Sequence, residues 1–143
     1  MHTDQDDPFR SEQLHFAAQD GDLQRVRELV QEGSDINAFD DCAKTALHYA
    51  VETERFEIAA YLIAHGADVN AHDEPRIGNT PLREVASTCS VRIAKLLIEA
   101  GADPTIPGWM QLTAIHKAED RRDPIGREVL RLMLAARSHG GPE

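Results

Sequence analysis

Two short patterns recur along this chain in a shared register, and a repeat of that kind constrains the fold more than any other feature. Leu14-His15-Phe16-Ala17 returns as Leu47-His48-Tyr49-Ala50, as Leu82-Arg83-Glu84-Val85 and as Ile115-His116-Lys117-Ala118, in steps of 33, 35 and 33. Gly33-Ser34-Asp35-Ile36-Asn37 returns as Gly66-Ala67-Asp68-Val69-Asn70 and as Gly101-Ala102-Asp103-Pro104-Thr105, in steps of 33 and 35. In each of these three repeats the glycine follows the leucine at one fixed offset: Leu14 to Gly33, Leu47 to Gly66, Leu82 to Gly101. A unit this short cannot bury an apolar face alone, so neighbours must stack, and about three are needed for stability.

Each repeat reads as two short helices and an extended turn. Thr45, Thr80 and Thr113 lie two residues before the Leu/Ile marker, where a hydroxyl caps a first helix. Pro81 follows at the first helical position, where a missing N–H costs nothing. Asp20-Gly21-Asp22 reads as the turn between two helices, with Asp22 capping the second. The second helices carry an apolar stripe at i, i+3, i+6 and i+7: Leu23, Val26, Leu29 and Val30, then Phe56, Ala59, Leu62 and Ile63, then Val91, Ala94, Leu97 and Ile98. Gly33, Gly66 and Gly101 are placed to stop these helices in the left-handed conformation.

Thr-Ala-Leu-His-Tyr-Ala at 45–50, Gly-Ala-Asp-Val-Asn-Ala at 66–71 and Thr-Pro-Leu at 80–82 resemble the ankyrin repeat, whose period of ~33 agrees. The resemblance covers about residues 8–136. It implies an all-α repeat solenoid: four stacked helix–turn–helix units joined by β-hairpin-like finger loops. The units fall at about 8–39, 40–74, 75–107 and 108–137, between an acidic tail at 1–7 and a C-terminal tail at 138–143.

Some positions depart from the family pattern. Arg83 replaces the usual histidine, and Ala43 stands where a finger glycine is expected. The finger between repeats two and three is two residues longer than its predecessor. The fourth repeat widens its interhelix loop at 120–126 and lacks the glycine signature. Ile58 and Ile93 occupy one equivalent position in the inner repeats, where Arg25 and Glu128 stand in the outer ones. End repeats can turn a polar face to water, so four repeats are expected to form a complete array.

Composition then narrows the function. The chain has 143 residues, with 25 acidic and 15 basic side chains, a formal charge of −10. Residues 1–74 hold 17 acids and 5 bases, while residues 75–143 hold 8 and 10. This balance argues against nucleic acid and anionic membranes, which need cationic surface. No apolar run approaches the ~20 residues of a membrane span. Cys42 and Cys89 form no Cys-x-x-Cys, which fits a reducing, cytoplasmic setting.

No enzyme and no cofactor are expected. His15, His48 and His116 share one repeat position, which in the ankyrin family is structural, and His65 suits a helix C-terminus. His72-Asp73-Glu74 offers ligand types, but no second cluster completes a metal site. Asp20-Gly21-Asp22 lacks the later acids of a calcium loop. The arginines at 121, 122, 127, 131 and 137 read as a solvated end face.

The family resemblance implies that a partner protein is met by the concave face and finger tips. Carried over by position, the first finger contributes Phe39, Asp40, Asp41, Cys42 and Lys44, with Glu52 and Thr53 on the following helix. The second contributes His72, Glu74, Arg76, Ile77 and Asn79, with Ser87 and Thr88 behind. The third contributes Trp109, Met110 and Leu112, with Asp120 and Arg121 behind, and the first repeat adds Phe9, Gln19 and Asp20. Apolar tips at Phe39, Ile77, Trp109 and Met110, rimmed by carboxylates, suit a basic protein. The expected protein is a non-catalytic binding module, a monomer when unbound. By analogy with small acidic ankyrin proteins, it is an inhibitor or immunity protein that neutralises a toxin or enzyme. The alternative is a scaffolding or host-directed adaptor with several partners.

Overall fold

The structure is a computed structural model that describes the backbone of residues 8–140 and the side chains of residues 12–137. The acidic tail at 1–7 and the Phe9 side chain lie outside the described residues, as do the side chains of the expected C-terminal tail. Among the described residues the secondary structure is eight α-helices and two single-turn segments, with no strand. The helices are α1 (Pro8–Asp20), α2 (Leu23–Gln31), α3 (Ala46–Glu52), α4 (Phe56–Ala64), α5 (Pro81–Val85), α6 (Val91–Glu99), α7 (Ala114–Glu119) and α8 (Pro124–Gly140). This is the expected all-α repeat fold, one helix pair per repeat. The backbone of α8 runs on to Gly140, past the point at 137 where the sequence reading placed the end of the repeats.

The chain divides into two compact units, Met1–Asp68 and Val69–Glu143. In the N-terminal unit α1 packs on α2 and α3, and α4 packs on α2 and α3. Its core is Leu14, Val26, Leu29, Leu47, Val51, Ile58 and Leu62, all buried. In the C-terminal unit α7 packs on α5 and α8, and α6 packs on α8. Leu82, Val85, Ile93, Leu97, Ile115, Val129 and Met133 form its core. Ile58 and Ile93 are 3% and 1% exposed. At the equivalent position in the outer repeats the side chains of Arg25 and Glu128 are 42% and 41% exposed.

The capping signals resolve into specific bonds. Asp22 accepts the Arg25 N–H at 3.0 Å, and Thr80 accepts that of Arg83 at 3.1 Å. At Thr113 the arrangement is reciprocal: its hydroxyl accepts the His116 N–H at 3.2 Å, and His116 Nδ1 accepts the Thr113 N–H at 3.0 Å. His48 Nδ1 accepts the Thr45 N–H in the same way at 2.9 Å.

Three helices end alike. Gly33, Gly66 and Gly101 have φ of 97°, 103° and 101°, which side-chain-bearing residues rarely adopt. Each turn carries two backbone bonds to the last helical turn. Gly33 and Ser34 donate to Val30 and Leu29, Gly66 and Ala67 to Ile63 and Leu62, and Gly101 and Ala102 to Ile98 and Leu97.

The asparagine of each glycine marker ties one repeat to the next. Asn37 Oδ1 accepts the Asp68 N–H at 2.8 Å while its amide donates to the Gly66 carbonyl at 3.2 Å. In the C-terminal unit Asn70 makes the same pair with Asp103 at 2.7 Å and Gly101 at 3.1 Å. Thr105 replaces the third asparagine and bonds within its own turn to Asp103.

Leu62→Ala is expected to lower stability by about 2–5 kcal/mol through a cavity in the core. Asn70→Ala, which frees two backbone groups, is expected to cost about 2 kcal/mol. Urea unfolding midpoints of the two variants measure both, and a smaller loss for Leu62→Ala than for Asn70→Ala would contradict this ordering.

Candidate partner-binding surface

The fingers project where backbone geometry is least regular. The first finger, in the N-terminal unit, reverses between Asp40 and Lys44, with the Asp40 N–H donating to the Lys44 carbonyl at 2.9 Å. Ala43, in the expected glycine place, takes φ of 62°. The third finger, in the C-terminal unit, repeats this turn: Gly108 donates to Leu112 at 2.9 Å and Gln111 takes φ of 61°. Two backbone bonds close the first finger, the second from Ala43 to Asp40 at 3.0 Å, and bonds confined to so short a turn build no strand among the described residues, so these fingers are hairpin-like in path only.

The residue at the shared histidine position steadies the finger. His15 Nε2 lies 3.0 Å from the carbonyls of Ala38 and Lys44. Arg83 takes over this role in the third repeat. It is buried, its Nε donates to the Leu112 carbonyl at 3.0 Å and its Nη2 to the Trp109 carbonyl at 3.4 Å. Asn79 adds a strut from the second finger by accepting the Trp109 N–H at 3.0 Å. The departure from histidine therefore keeps the same kind of carbonyl target with a longer, always cationic donor.

The structure sorts the expected surface residues into exposed and engaged groups. Ile77, Trp109 and Met110 are 55%, 59% and 65% exposed, and Phe39 is 37% exposed. Asp41, Cys42, Thr53, Glu74, Arg76, Ser87, Thr88, Asp120, Gln19 and Asp20 are also exposed. The others turn inward to neighbours. Lys44 and Glu52 pair with each other at 2.8 Å. Asn79 is the strut just described, and Leu112 is half-buried with its carbonyl held by Arg83. Arg121 has a side chain only 9% exposed. It forks onto Asp123 and donates to the carbonyls of Cys89 at 2.8 Å and Ala86 at 3.4 Å, so it holds the interhelix loop rather than facing outward. On the second finger His72 lies 3.3 Å from Glu74, while Asp73 turns away to pair with Arg76 at 2.6 Å. Among the described residues no group of three or more His, Cys, Asp or Glu could hold a metal ion, and no helix is long and apolar enough to cross a membrane.

Asp40 is the most heavily engaged carboxylate of the first finger. Its Oδ1 accepts the N–H of Cys42 and of Lys44, and its Oδ2 accepts the Tyr49 hydroxyl in a short bond. Partial burial acts to raise its pKa. The Tyr49 hydroxyl, the two backbone donors and nearby His15 outweigh burial, so the carboxyl lies below its ordinary 3.8. Burial, then the hydrogen bond to Asp40 and its charge, push the Tyr49 phenol above its ordinary value.

A family model for ankyrin repeats, in three copies, matches residues 14–108. The chain belongs to the ankyrin repeat family. No curated protein matches it closely enough to count as a relative. The matched span ends before α7 and α8, which supply a fourth helix pair with the same histidine-capped start. Ankyrin repeats are protein–protein interaction modules.

Among the described residues two large exposed apolar side chains, Phe16 and Ile125, lie outside the expected surface. Phe16 on α1 is 60% exposed, although Leu14 and Ala17 beside it are buried. The signal was present: its equivalents are Tyr49, Glu84 and Lys117, and a position that accepts Glu and Lys faces water.

Two outcomes follow from these contacts. Stability from Asp40 is present above its unfolded pKa and is lost as pH falls through the lower folded value. Stability from the Tyr49 proton is present at neutral pH and is lost as pH rises past its ordinary value of 10.0. Tyr49→Phe should therefore cost about 1–2 kcal/mol near neutral pH and flatten the acid loss below about pH 4. Urea titrations at several pH values read this; an unchanged acid limb would refute the pairing. Arg83→Ala should cost about 2 kcal/mol and open the third finger, seen as faster amide hydrogen exchange at Gln111 and Leu112.

Proposed function

We propose that this ankyrin protein is a non-catalytic module that binds a basic partner protein through its finger tips. The observation that carries the reading is the backbone beneath the exposed apolar tips of the C-terminal unit. Ile77 and Met110 take φ of 56° and 59°, so large side chains occupy the left-handed region while more than half exposed. Such a conformation costs on the order of 1–2 kcal/mol per residue. The turns are closed by backbone bonds, Ile77 to Glu74 at 3.0 Å, Gly78 to Asp73 at 2.9 Å and Gln111 to Gly108 at 2.9 Å, which glycine would make as well, and the side chains stand in water, so burial does not offset the cost. Exposed apolar groups held at a cost mark a surface that another protein covers.

Charge supports the nature of the partner. Residues 1–68 hold 15 acids and 5 bases, whereas residues 69–143 hold 10 of each, so the whole charge of −10 sits in the N-terminal unit. Carboxylates there steer a basic protein to encounter, and Trp109 with its apolar neighbours anchors it. Cys42 and Cys89, which form no disulfide, fit a reducing cytoplasm. In its sharper form the reading is an inhibitor that covers the basic active site of a toxin or enzyme; the alternative is an adaptor with several partners. The inhibitor predicts one tight partner whose association slows steeply with salt.

Trp109→Ala should weaken partner binding by on the order of 2 kcal/mol while the unfolding midpoint stays put. Asp41→Lys should chiefly slow association. Capture of partners from native lysate with the wild type and each variant, followed by kinetic binding to the captured protein, makes the measurement. Affinity that survives both substitutions together would sink the proposal.

A further inference from the structure

Beside the first finger, the N-terminal unit contains a cleft of about 150 Å³, open to solvent. Its walls are Phe16, Gln19 and His15 from α1, Tyr49 from α3 and the carboxylate residues Glu12, Asp40 and Asp41; His15 has its Nε2 turned to the Ala38 and Lys44 carbonyls, 3.0 Å from each. Phe16 has no packing duty that demands an aromatic, since it is 60% exposed and the same repeat position is Glu84 and Lys117 elsewhere in the chain, whereas Tyr49 is held by Asp40 and edge-on to His15 at 5.7 Å between ring centroids. The described cations closest to these residues in sequence and contact are already committed. Lys44 pairs with Glu52 at 2.8 Å, with its ammonium 5.4 Å from the Tyr49 ring, and Arg25 bonds Glu28 and Gln13. Arg55 donates to the Gln19 carbonyl at 3.4 Å.

An aromatic face beside several carboxylates is complementary to one chemistry. A cation gains from the ring quadrupole and from the negative groups together. Asp40 has both oxygens engaged by Cys42, Lys44 and Tyr49, so it contributes charge, while Glu12 and the exposed Asp41 are the groups placed to accept new donors. We propose that this cleft takes the guanidinium of an arginine side chain presented by the partner, stacked on Phe16 and forked onto Glu12 and Asp41. Arginine fits better than lysine because its planar, weakly hydrated head stacks on a ring and donates in two directions at once, whereas an ammonium in an open cleft keeps its water. The biological occupant rests on the reading of a protein partner; the cleft's chemistry does not.

The test uses the full chain and a free probe, so it is independent of Trp109 and of partner capture. N-acetyl-arginine methylamide is titrated at low salt while amide resonances are followed by NMR, with the lysine and neutral citrulline amides alongside. The arginine probe is expected to give saturable shifts centred on Phe16, Gln19, Asp41 and Tyr49. Citrulline should bind at least about tenfold more weakly, and lysine several-fold more weakly. Glu12→Gln with Asp41→Asn, both surface changes, should remove saturable binding; Phe16→Ala should weaken it severalfold with the dispersion of the spectrum retained. Equal shifts from citrulline or lysine, shifts spread over all surface carboxylates, or binding unchanged in the double variant would each overturn the assignment. A failure here with Trp109→Ala still impairing partner binding would remove the arginine cleft and leave the binding module; the reverse pattern would remove the finger-tip reading alone.

Discussion

A helix that stops leaves carbonyls and amides that its own turns cannot satisfy, and in this chain one side chain from the preceding repeat completes the job. Asn37 brackets the turn at Gly66 and Asp68, and Asn70 brackets the turn at Gly101 and Asp103. The bracket fixes the register of the Asp68 turn on the Asn37 turn in the N-terminal unit and of the Asp103 turn on the Asn70 turn in the C-terminal unit, and where Thr105 stands in place of the third asparagine the packing of α7 and α8 on α5 and α6 takes over. The bracket also explains why the glycine marker and the asparagine recur together: moving either by one residue would leave the turn's amide unmatched.

The fingers show the opposite economy. Helix pairs are over-determined by caps, glycine turns and apolar stripes, whereas the first and third fingers are held by a few turn bonds of their own and by one or two side chains from the preceding helix or finger. His15 serves the first finger, and Arg83 with Asn79 serves the third. Few constraints leave the tips free to carry residues that no core would tolerate there, such as Ile77 and Met110 on left-handed backbone. The division of charge follows the same logic. Some acids of the N-terminal unit serve the fold, Asp22 as a cap, Asp40 in the first finger and Glu52 in an ion pair, while others, such as Asp41 and Glu54, stand exposed.

Much of the helical frame was legible because it is local. A cap bonds three residues along, and a glycine turn bonds back within one helical turn, so spacing alone exposes them. Thr80, Thr113, Asp22 and the three glycines all do what their positions announced. The candidate surface was less legible because exposure is settled by partners distant in sequence. Lys44 and Glu52 look like tip and helix-face charges in the sequence, yet they neutralise each other across the repeat. Arg121 reads as an outward base and is instead drawn in by Asp123 and by the carbonyls of Ala86 and Cys89 in the preceding repeat. Phe16, next to buried His15 and Ala17, stands in water.

The sequence by itself determined the repeat, its period, the helix ends and the apolar positions, because each rests on contacts within a few residues or on a periodicity that survives translation along the chain. It also determined where the acids lie, since charge is additive. The tertiary structure alone decided which charged and aromatic groups remain available. That choice depends on whether a neighbour from the adjacent repeat reaches the same oxygen or the same ring first, and no local pattern encodes the outcome of that competition.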